Sequence, residues 1–124
     1  ANENEITTIN IPDNITSIGA SAFSGCTSIT SVNISNNVTI IGSKAFMNCK
    51  SLSSIKLPEN TSYTIMASSL LDGCSNLQSI EIPKYINTIS INALANCNFE
   101  SLYIPSNVKY IGGGAFANSY NLNL

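Results

Sequence analysis

Four cysteines are the residues of this 124-residue chain whose type and spacing could carry chemistry. They are Cys26, Cys49, Cys74 and Cys97, with gaps of 23, 25 and 23 residues. The surrounding sequence repeats with about the same spacing, and Ser119 occupies the cysteine position of the last repeat. If each gap is one coil, the side chains stack about 4.8 Å apart, whereas a disulfide brings its Cβ atoms to about 3.8 Å. A line of thiols also lacks the tetrahedral arrangement that zinc needs. We therefore predict small buried core residues, and keep a disulfide or a metal site as alternatives.

The sequence offers few residues for acid–base catalysis. The chain contains no histidine and no arginine, so it has no conventional triad and no general base with an ordinary pKa near neutrality. Glu81 and Glu100 are the only carboxylates that we expect to approach each other, and two exposed carboxylates on neighbouring strands are usually just solvated. The glycine run at 112–114 lacks the following lysine and helix of a phosphate-binding loop. We predict that the protein is not an enzyme and has no catalytic residue and no cofactor.

Charge and hydropathy limit the classes of partner that the chain is expected to bind. Seven acidic and five basic residues give a net charge of −2, which argues against nucleic acid because phosphate binding needs a basic surface. No apolar run is long enough to insert into a membrane. The polar start, 1–5, shows no cleavable signal peptide, and reduced cysteines slightly favour the cytoplasm, with the cell surface as the alternative. Four asparagines match the glycosylation pattern, which we interpret as mostly coincidental: Asn14, Asn33, Asn37 and Asn60.

The elements that must position these residues are five copies of one pattern. The first copy has an apolar strand ending Ile9-Asn-Ile11-Pro12, then an Ile18-Gly19 step, an Ala22-Phe23 pair and a cysteine. The chain divides into coils 6–28, 29–51, 52–76, 77–98 and 99–121, which form a single domain over 1–124. A fixed period of this length is typical of a solenoid, in which each coil covers the core of the next.

Each coil predicts the same local elements. Apolar residues at positions four and six, with a polar residue between them, indicate a half-buried strand that a proline ends. A short β-branched stretch then predicts a second strand. Gly19, Gly42 and Gly112 follow it, and we expect them to let the backbone turn a sharp corner. The Ala-Phe pair predicts one helical or 3₁₀ turn that places a large side chain inward.

This pattern resembles the BspA-like class of leucine-rich repeats, whose consensus runs L-x-x-I-x-I-P-x-x-V-x-x-I-G-x-x-A-F-x-x-C. The resemblance covers residues 6–121. It implies an α/β, β-rich, right-handed leucine-rich-repeat solenoid, with a parallel sheet of about five strands on one face and short strands and 3₁₀ or helical turns on the other. It also implies protein binding rather than catalysis, since the class includes bacterial surface adhesins.

The outward positions of the predicted sheet indicate where binding occurs. Position three of every coil is a small hydroxyl residue, as a sheet needs for itself, whereas position five varies in charge, size and aromaticity. We predict that position five forms the protein-binding column, with a merely solvated face as the alternative. Its members are Asn10, Asn33, Lys56, Glu81 and Tyr103.

Solenoids need polar caps, and neither terminal coil of this chain resembles one. We therefore predict a homo-oligomer, a dimer or tetramer that forms through uncapped ends, with these interface residues: Phe99, Tyr110, Phe116, Tyr120, Leu122 and Leu124. The alternative is that they cover core at a ragged end. The leading functional hypothesis is a non-catalytic protein–protein interaction scaffold, for example one that regulates a phosphatase or kinase. The alternative is a cell-surface adhesin fragment that binds proteins of a host or a neighbouring cell.

Overall fold

The structure is a computed structural model that describes residues 6–119. It is a parallel β-solenoid of about five turns. The strands are β1 (Thr8–Ile11), β2 (Ser17–Ile18), β3 (Ser31–Ile34), β4 (Ile40–Ile41), β5 (Ser54–Lys56), β6 (Ile65–Met66), β7 (Thr88–Ile89) and β8 (Tyr110–Ile111). The first sheet has the order β1-β3-β5, and the second face carries β2-β4 and β6-β7-β8.

The register of the first sheet follows the repeat. Ile9 pairs with Val32, which pairs with Ile55, so consecutive strands are offset by one full coil. Because side chains alternate across a strand, this register keeps every apolar position in the core and every polar position outside. The predicted strand at positions four and six of the coil is confirmed here.

The predicted sheet of about five strands is only partly formed. In the part of the chain that the structure describes, two further segments follow the path of the first sheet but do not pair with it as strands. They are residues 79–82 and 101–105. The coils differ in length at these places, since Ile55 to Ile80 spans 25 residues and Ile80 to Leu102 spans 22. The second face is also interrupted where Ile40 and Ile65 stand 25 residues apart. Coils of unequal length cannot stay at hydrogen-bonding distance around their whole circumference, so the ladder opens there.

The predicted helical or 3₁₀ turn at the Ala-Phe pair is not confirmed, because residues 6–119 contain no helix. Along this turn the backbone amides alternate between two kinds of acceptor. The Ala22 amide donates to the Gly19 carbonyl in the same coil, whereas the Phe23 amide donates to the Ala45 carbonyl in the next coil. Two left-handed residues in each coil, four apart, prevent a helix from forming. They are Ser21, Lys44, Ser69, Asn92 and Gly114 in one column, and Gly25, Asn48, Gly73, Asn96 and Asn118 in the other. The result is a ribbon of turns that ties each coil to the next.

The glycines after the second strand serve stacking rather than a special backbone angle. Gly19, Gly42 and Gly112 do not have positive φ angles, so the expectation of a glycine-dependent corner is corrected. A Cβ on Gly42 would lie 2.5 Å from the Ala20 nitrogen, and one on Gly112 would lie 2.6 Å from the Ile91 nitrogen. The preceding coil therefore approaches Gly42 and Gly112 too closely for a side chain.

The core is complete in the middle coils and partly open in the outer two. Phe46, Leu52 and Leu77 are fully buried. In the first and last described coils the equivalent apolar side chains are only half-buried: Ile9, Ile11, Phe23, Leu102, Ile104, Val108 and Phe116. Each middle coil is covered on both sides, whereas each outer coil is covered on one.

Candidate protein-binding surface

The first part of the predicted binding column lies on a regular sheet. Asn10, Asn33 and Lys56 pair in register on β1, β3 and β5, and all three side chains are exposed. The Asn33 side-chain amide donates to the Asn10 side-chain oxygen at 3.0 Å, and the Lys56 Nζ donates to the Asn36 side-chain oxygen at 3.1 Å. These polar groups therefore already have partners within the chain.

The second part of the column lines a cleft. Glu81 and Tyr103 stand on the coils where the first sheet opens, and the Tyr103 side chain is 76% exposed. The cleft measures about 700 Å³, within the range of ligand pockets. Its wall also contains Glu59, Lys84, Tyr85, Pro105 and Asn107, among others. The structure thus brings Glu81 and Tyr103 together and separates them from Asn10.

Sequence reasoning missed the turn residues of this cleft. Glu59, Lys84 and Tyr85 come after the strand-ending prolines of two different coils, and stacking brings them to one wall. The Lys84 Nζ lies 5.2 Å from the centre of the Tyr85 ring, a cation–π distance. The sequence signal that could have identified them is the variation, from coil to coil, among the residues that follow each proline.

The turns next to the cleft are joined by an asparagine ladder. The side-chain amides of Asn37, Asn60 and Asn107 donate to backbone carbonyls of the preceding coil at 2.7–3.0 Å. Two of these, Asn37 and Asn60, match the glycosylation pattern, and a glycan would replace one of the two hydrogens of the donating amide. This agrees with a structural role for both asparagines.

The predicted oligomer residues differ in where they lie. Phe99 is 1% exposed and lies in the core. Phe116 is half-buried, whereas Tyr110 is 69% exposed on the second face. Tyr120, Leu122 and Leu124 lie outside the described residues.

Large apolar side chains stand exposed on the second face. Ile40 is 64% exposed and Ile65 is 52% exposed, each projecting outward from its strand. With Tyr110 and Ile91, which is 58% exposed, they form what we name the apolar stripe. Two shallow hollows of about 320 and 550 Å³ lie along it.

The cysteines are small core residues, as predicted, and all four are free thiols. Cys49, Cys74 and Cys97 are buried, whereas Cys26, on the outer coil, is half-buried. The Cys49 Sγ donates to the Phe23 carbonyl at 3.2 Å, and the Cys74 Sγ donates to the Phe46 carbonyl at 3.2 Å. Each thiol therefore also ties its coil to the preceding one.

Burial makes these thiols unreactive. It raises the pKa of Cys49 and Cys74, and raises the pKa of Cys97 to about 12. Since the thiolate is the nucleophile, buried thiols of this kind are poor catalysts. Ser119 occupies the fifth slot, where its hydroxyl donates to the Leu94 carbonyl and accepts from the Cys97 amide.

Neither a metal-ligating cluster nor a membrane-spanning helix occurs among residues 6–119. No group of three or more histidine, cysteine or acidic side chains is placed to hold a metal ion. No helix in the same range is long and apolar enough to cross a membrane.

The stacked parallel coils, the asparagine ladder and the repeated cysteine slot define a leucine-rich-repeat solenoid. The chain belongs to the BspA-type leucine-rich repeat family, whose model matches residues 1–123 in six copies. No curated protein matches the chain.

Solved bacterial structures share the fold. A leucine-rich repeat protein from Bacteroides ovatus has a TM-score of 0.86 and 33% identity, over 95% of this chain and 33% of that one. A leucine-rich cell surface protein from Faecalibacterium prausnitzii has a TM-score of 0.86 and 34% identity, over 94% and 32%. The leucine-rich repeat protein of T. pallidum has a TM-score of 0.80 and 26% identity, over 98% and 60%. The chain therefore spans about a third of the length of the first two.

Proposed function

We propose that this protein is a non-catalytic protein–protein interaction scaffold, and that its partner binds along the position-five column and into the cleft at Glu81 and Tyr103. The observation that carries this proposal is the cleft itself, where an exposed aromatic ring and a carboxylate stand on an otherwise regular scaffold. Tyrosine is frequent among the residues that dominate binding energy at interfaces.

The contrast between neighbouring columns supports this surface. Position three carries only small hydroxyl side chains, and the Ser31 hydroxyl donates to that of Thr8 at 3.2 Å. That column stabilises the sheet. Position five, two residues further along each strand, is exposed and differs in every coil after the second. Variation on a rigid scaffold is how repeat proteins of one fold bind different partners.

The proposal is tested by partner capture. The 124-residue chain is immobilised, and bound proteins are identified by mass spectrometry. We expect the triple variant Lys56→Ala, Glu81→Ala, Tyr103→Ala to lose at least about tenfold of the captured partner, because truncating a hot-spot side chain costs about 2 kcal/mol or more and tyrosine is enriched among hot spots.

The matched control changes the same residue types elsewhere: Lys50→Ala, Glu100→Ala and Tyr110→Ala. This control should capture the partner normally. Equal capture by the native chain and the cleft variant would exclude the sheet face as the recognition surface. The identity of the captured protein also tests the narrower hypothesis of a regulated phosphatase or kinase.

Self-association through the outer coils is part of the proposal. Ile6 is 61% exposed and Ile111 is 54% exposed, each on the open side of its coil. Packing these edges against matching edges of other copies would bury the half-exposed core side chains. Ile6→Lys and Ile111→Lys should lower the average mass measured by light scattering at fixed concentration, and an unchanged mass would argue against end-to-end contact.

A second candidate function is cell-surface adhesion. It is favoured by the 34% identity to a cell surface protein of F. prausnitzii. Biotinylation of intact producing cells with a membrane-impermeant reagent would test it. Strong labelling of the protein, together with binding of the purified chain to whole cells, would favour the adhesin over an internal scaffold.

A further inference from the structure

The apolar stripe does not need apolar side chains at its strand position for the strands to pair. In coils one and four its strand position is occupied by Ser17 and Thr88, which pair in register with Ile40, Ile65 and Tyr110. The slot therefore accepts polar side chains without loss of the strand. Two isoleucines and a tyrosine at this slot expose apolar surface that the strand pairing does not need.

The surroundings of the stripe match the centre of a protein interface. Lys109 is the only charged residue in the second-face segments 15–19, 38–42, 63–67, 86–90 and 108–112. The other charged residues that the structure describes lie on the first sheet, in the turns and on the turn ribbon. Depletion of charge with enrichment of apolar and aromatic side chains distinguishes an interface core from ordinary surface.

The size of this face suits a second copy of the chain. From their exposed fractions, the four stripe residues present on the order of 500 Å² of apolar surface, and the flanking threonines bring the face towards the roughly 800 Å² that each partner of a stable dimer buries. The whole chain carries a net charge of −2, so two copies repel weakly over most of their surfaces. The nearly uncharged second face is where they can approach without that cost.

We propose that the apolar stripe packs face to face on the stripe of a second copy, related by a two-fold axis. Ile65 is the third of the five residues in its column, so an antiparallel arrangement places it against its own copy beside the axis. Ile40 then lies near Thr88 of the other chain, and Tyr110 lies near Ser17. This contact is lateral and is distinct from end-to-end packing of the outer coils.

The test uses substitutions that the fold already accepts in the same slot, Ile40→Ser and Ile65→Thr together. At concentrations of about 10 µM to 1 mM, light scattering of the native chain should show at least twice the 13.1 kDa mass of one chain. The double variant should show a dissociation constant at least about a hundredfold higher, because four buried isoleucines are lost per dimer. Tyr103→Ala, on the other face, should leave the dimer unchanged.

A cross-linking measurement fixes the geometry. Under mild oxidation Ile65→Cys should give a disulfide-linked dimer, while Tyr103→Cys should stay monomeric on a non-reducing gel. Three of the four native thiols are buried and do not compete. A native chain that is monomeric at 1 mM overturns the proposal. A dimer that resists the stripe variants but dissociates with Ile6→Lys also overturns it, and assigns self-association to the outer coils instead.

Discussion

Replacing Gly42 with alanine should push two coils apart. A Cβ at this position would lie 2.5 Å from the Ala20 nitrogen and 2.7 Å from the Ala20 Cα, and both are backbone atoms that cannot rotate away. Ordinary contact begins near 3.4 Å, so the coils must separate by about 0.9 Å. The bond from the Gly42 amide to the Ile18 carbonyl, now 2.8 Å, would then exceed hydrogen-bonding distance.

The expected loss follows from these two effects. Overpacking costs about 1–3 kcal/mol, and one lost hydrogen bond costs about 1 kcal/mol, so the free energy of unfolding should fall by about 2–4 kcal/mol. For a domain of this size, that lowers Tm by roughly 10 °C. Urea denaturation and thermal melting followed by circular dichroism measure both quantities.

Gly19 provides the matched control. It holds the same slot of the first coil, but a Cβ there meets nothing within 4 Å, and its φ is not positive. Gly19→Ala should therefore be neutral or stabilising by up to about 1 kcal/mol, because alanine restricts the unfolded chain. Equal losses from both alanine variants would refute the reasoning, since the two positions would then share a conformational rather than a stacking requirement.

Three further outcomes are expected. Tyr63→Phe should raise the free energy of unfolding by about 1 kcal/mol in urea titrations, because the Tyr63 hydroxyl is buried without a partner; a loss would show a missed hydrogen bond. Burial keeps the pKa values of Cys74 and Cys97 above the ordinary 9.0, so these thiols ionise in the unfolded chain before they ionise in the folded one as the pH rises. The free energy of unfolding should therefore fall above about pH 9, by up to roughly 1.4 kcal/mol per pH unit for each thiol. Cys74→Ser, which has the hydroxyl that Ser119 carries in this slot, should reduce that slope, and an unchanged slope would contradict the assignment. In hydrogen exchange followed by NMR, the Glu81 amide should exchange at least about tenfold faster than the Asn33 amide at the same coil position, because only Asn33 lies in a paired strand; equal rates would show that the ladder continues through coil four.

Repetition made the core of this fold predictable. Five aligned copies placed the strand and the cysteine slot, because every copy must present the same inward face to its neighbours. The helical turn was not confirmed, for a local reason. Ser21, Lys44 and Ser69 hold left-handed angles without glycine, so their residue types give no warning, and only the bonds to the next coil reveal the ribbon of turns.

The sheet and the cleft depend on differences between coils, which aligning the copies tends to hide. Two extra residues around 60–62 and one fewer after Cys97 are visible in the sequence, yet their effect is to open the ladder around 79–82, a whole strand away. The cleft joins Glu59 to Glu81 and Tyr103 across coils of different length. Such proximity follows from stacking and cannot be obtained from any one copy.

The residues that hold the coils together differ from those that we propose for recognition, and the cysteine slot shows what the fold requires. Cys49 and Cys74 each bond a carbonyl of the preceding coil, and Ser119 does the same with a hydroxyl, so the slot needs a small donor and tolerates either atom. What repeats is thus what every coil needs to hold its neighbour. Tyr103 in the binding column and Ile65 in the apolar stripe depart from the repeat at exposed positions, where the fold requires neither. No neighbouring coil requires these side chains, and the capture and dimerisation measurements test whether contacts beyond the solenoid involve them.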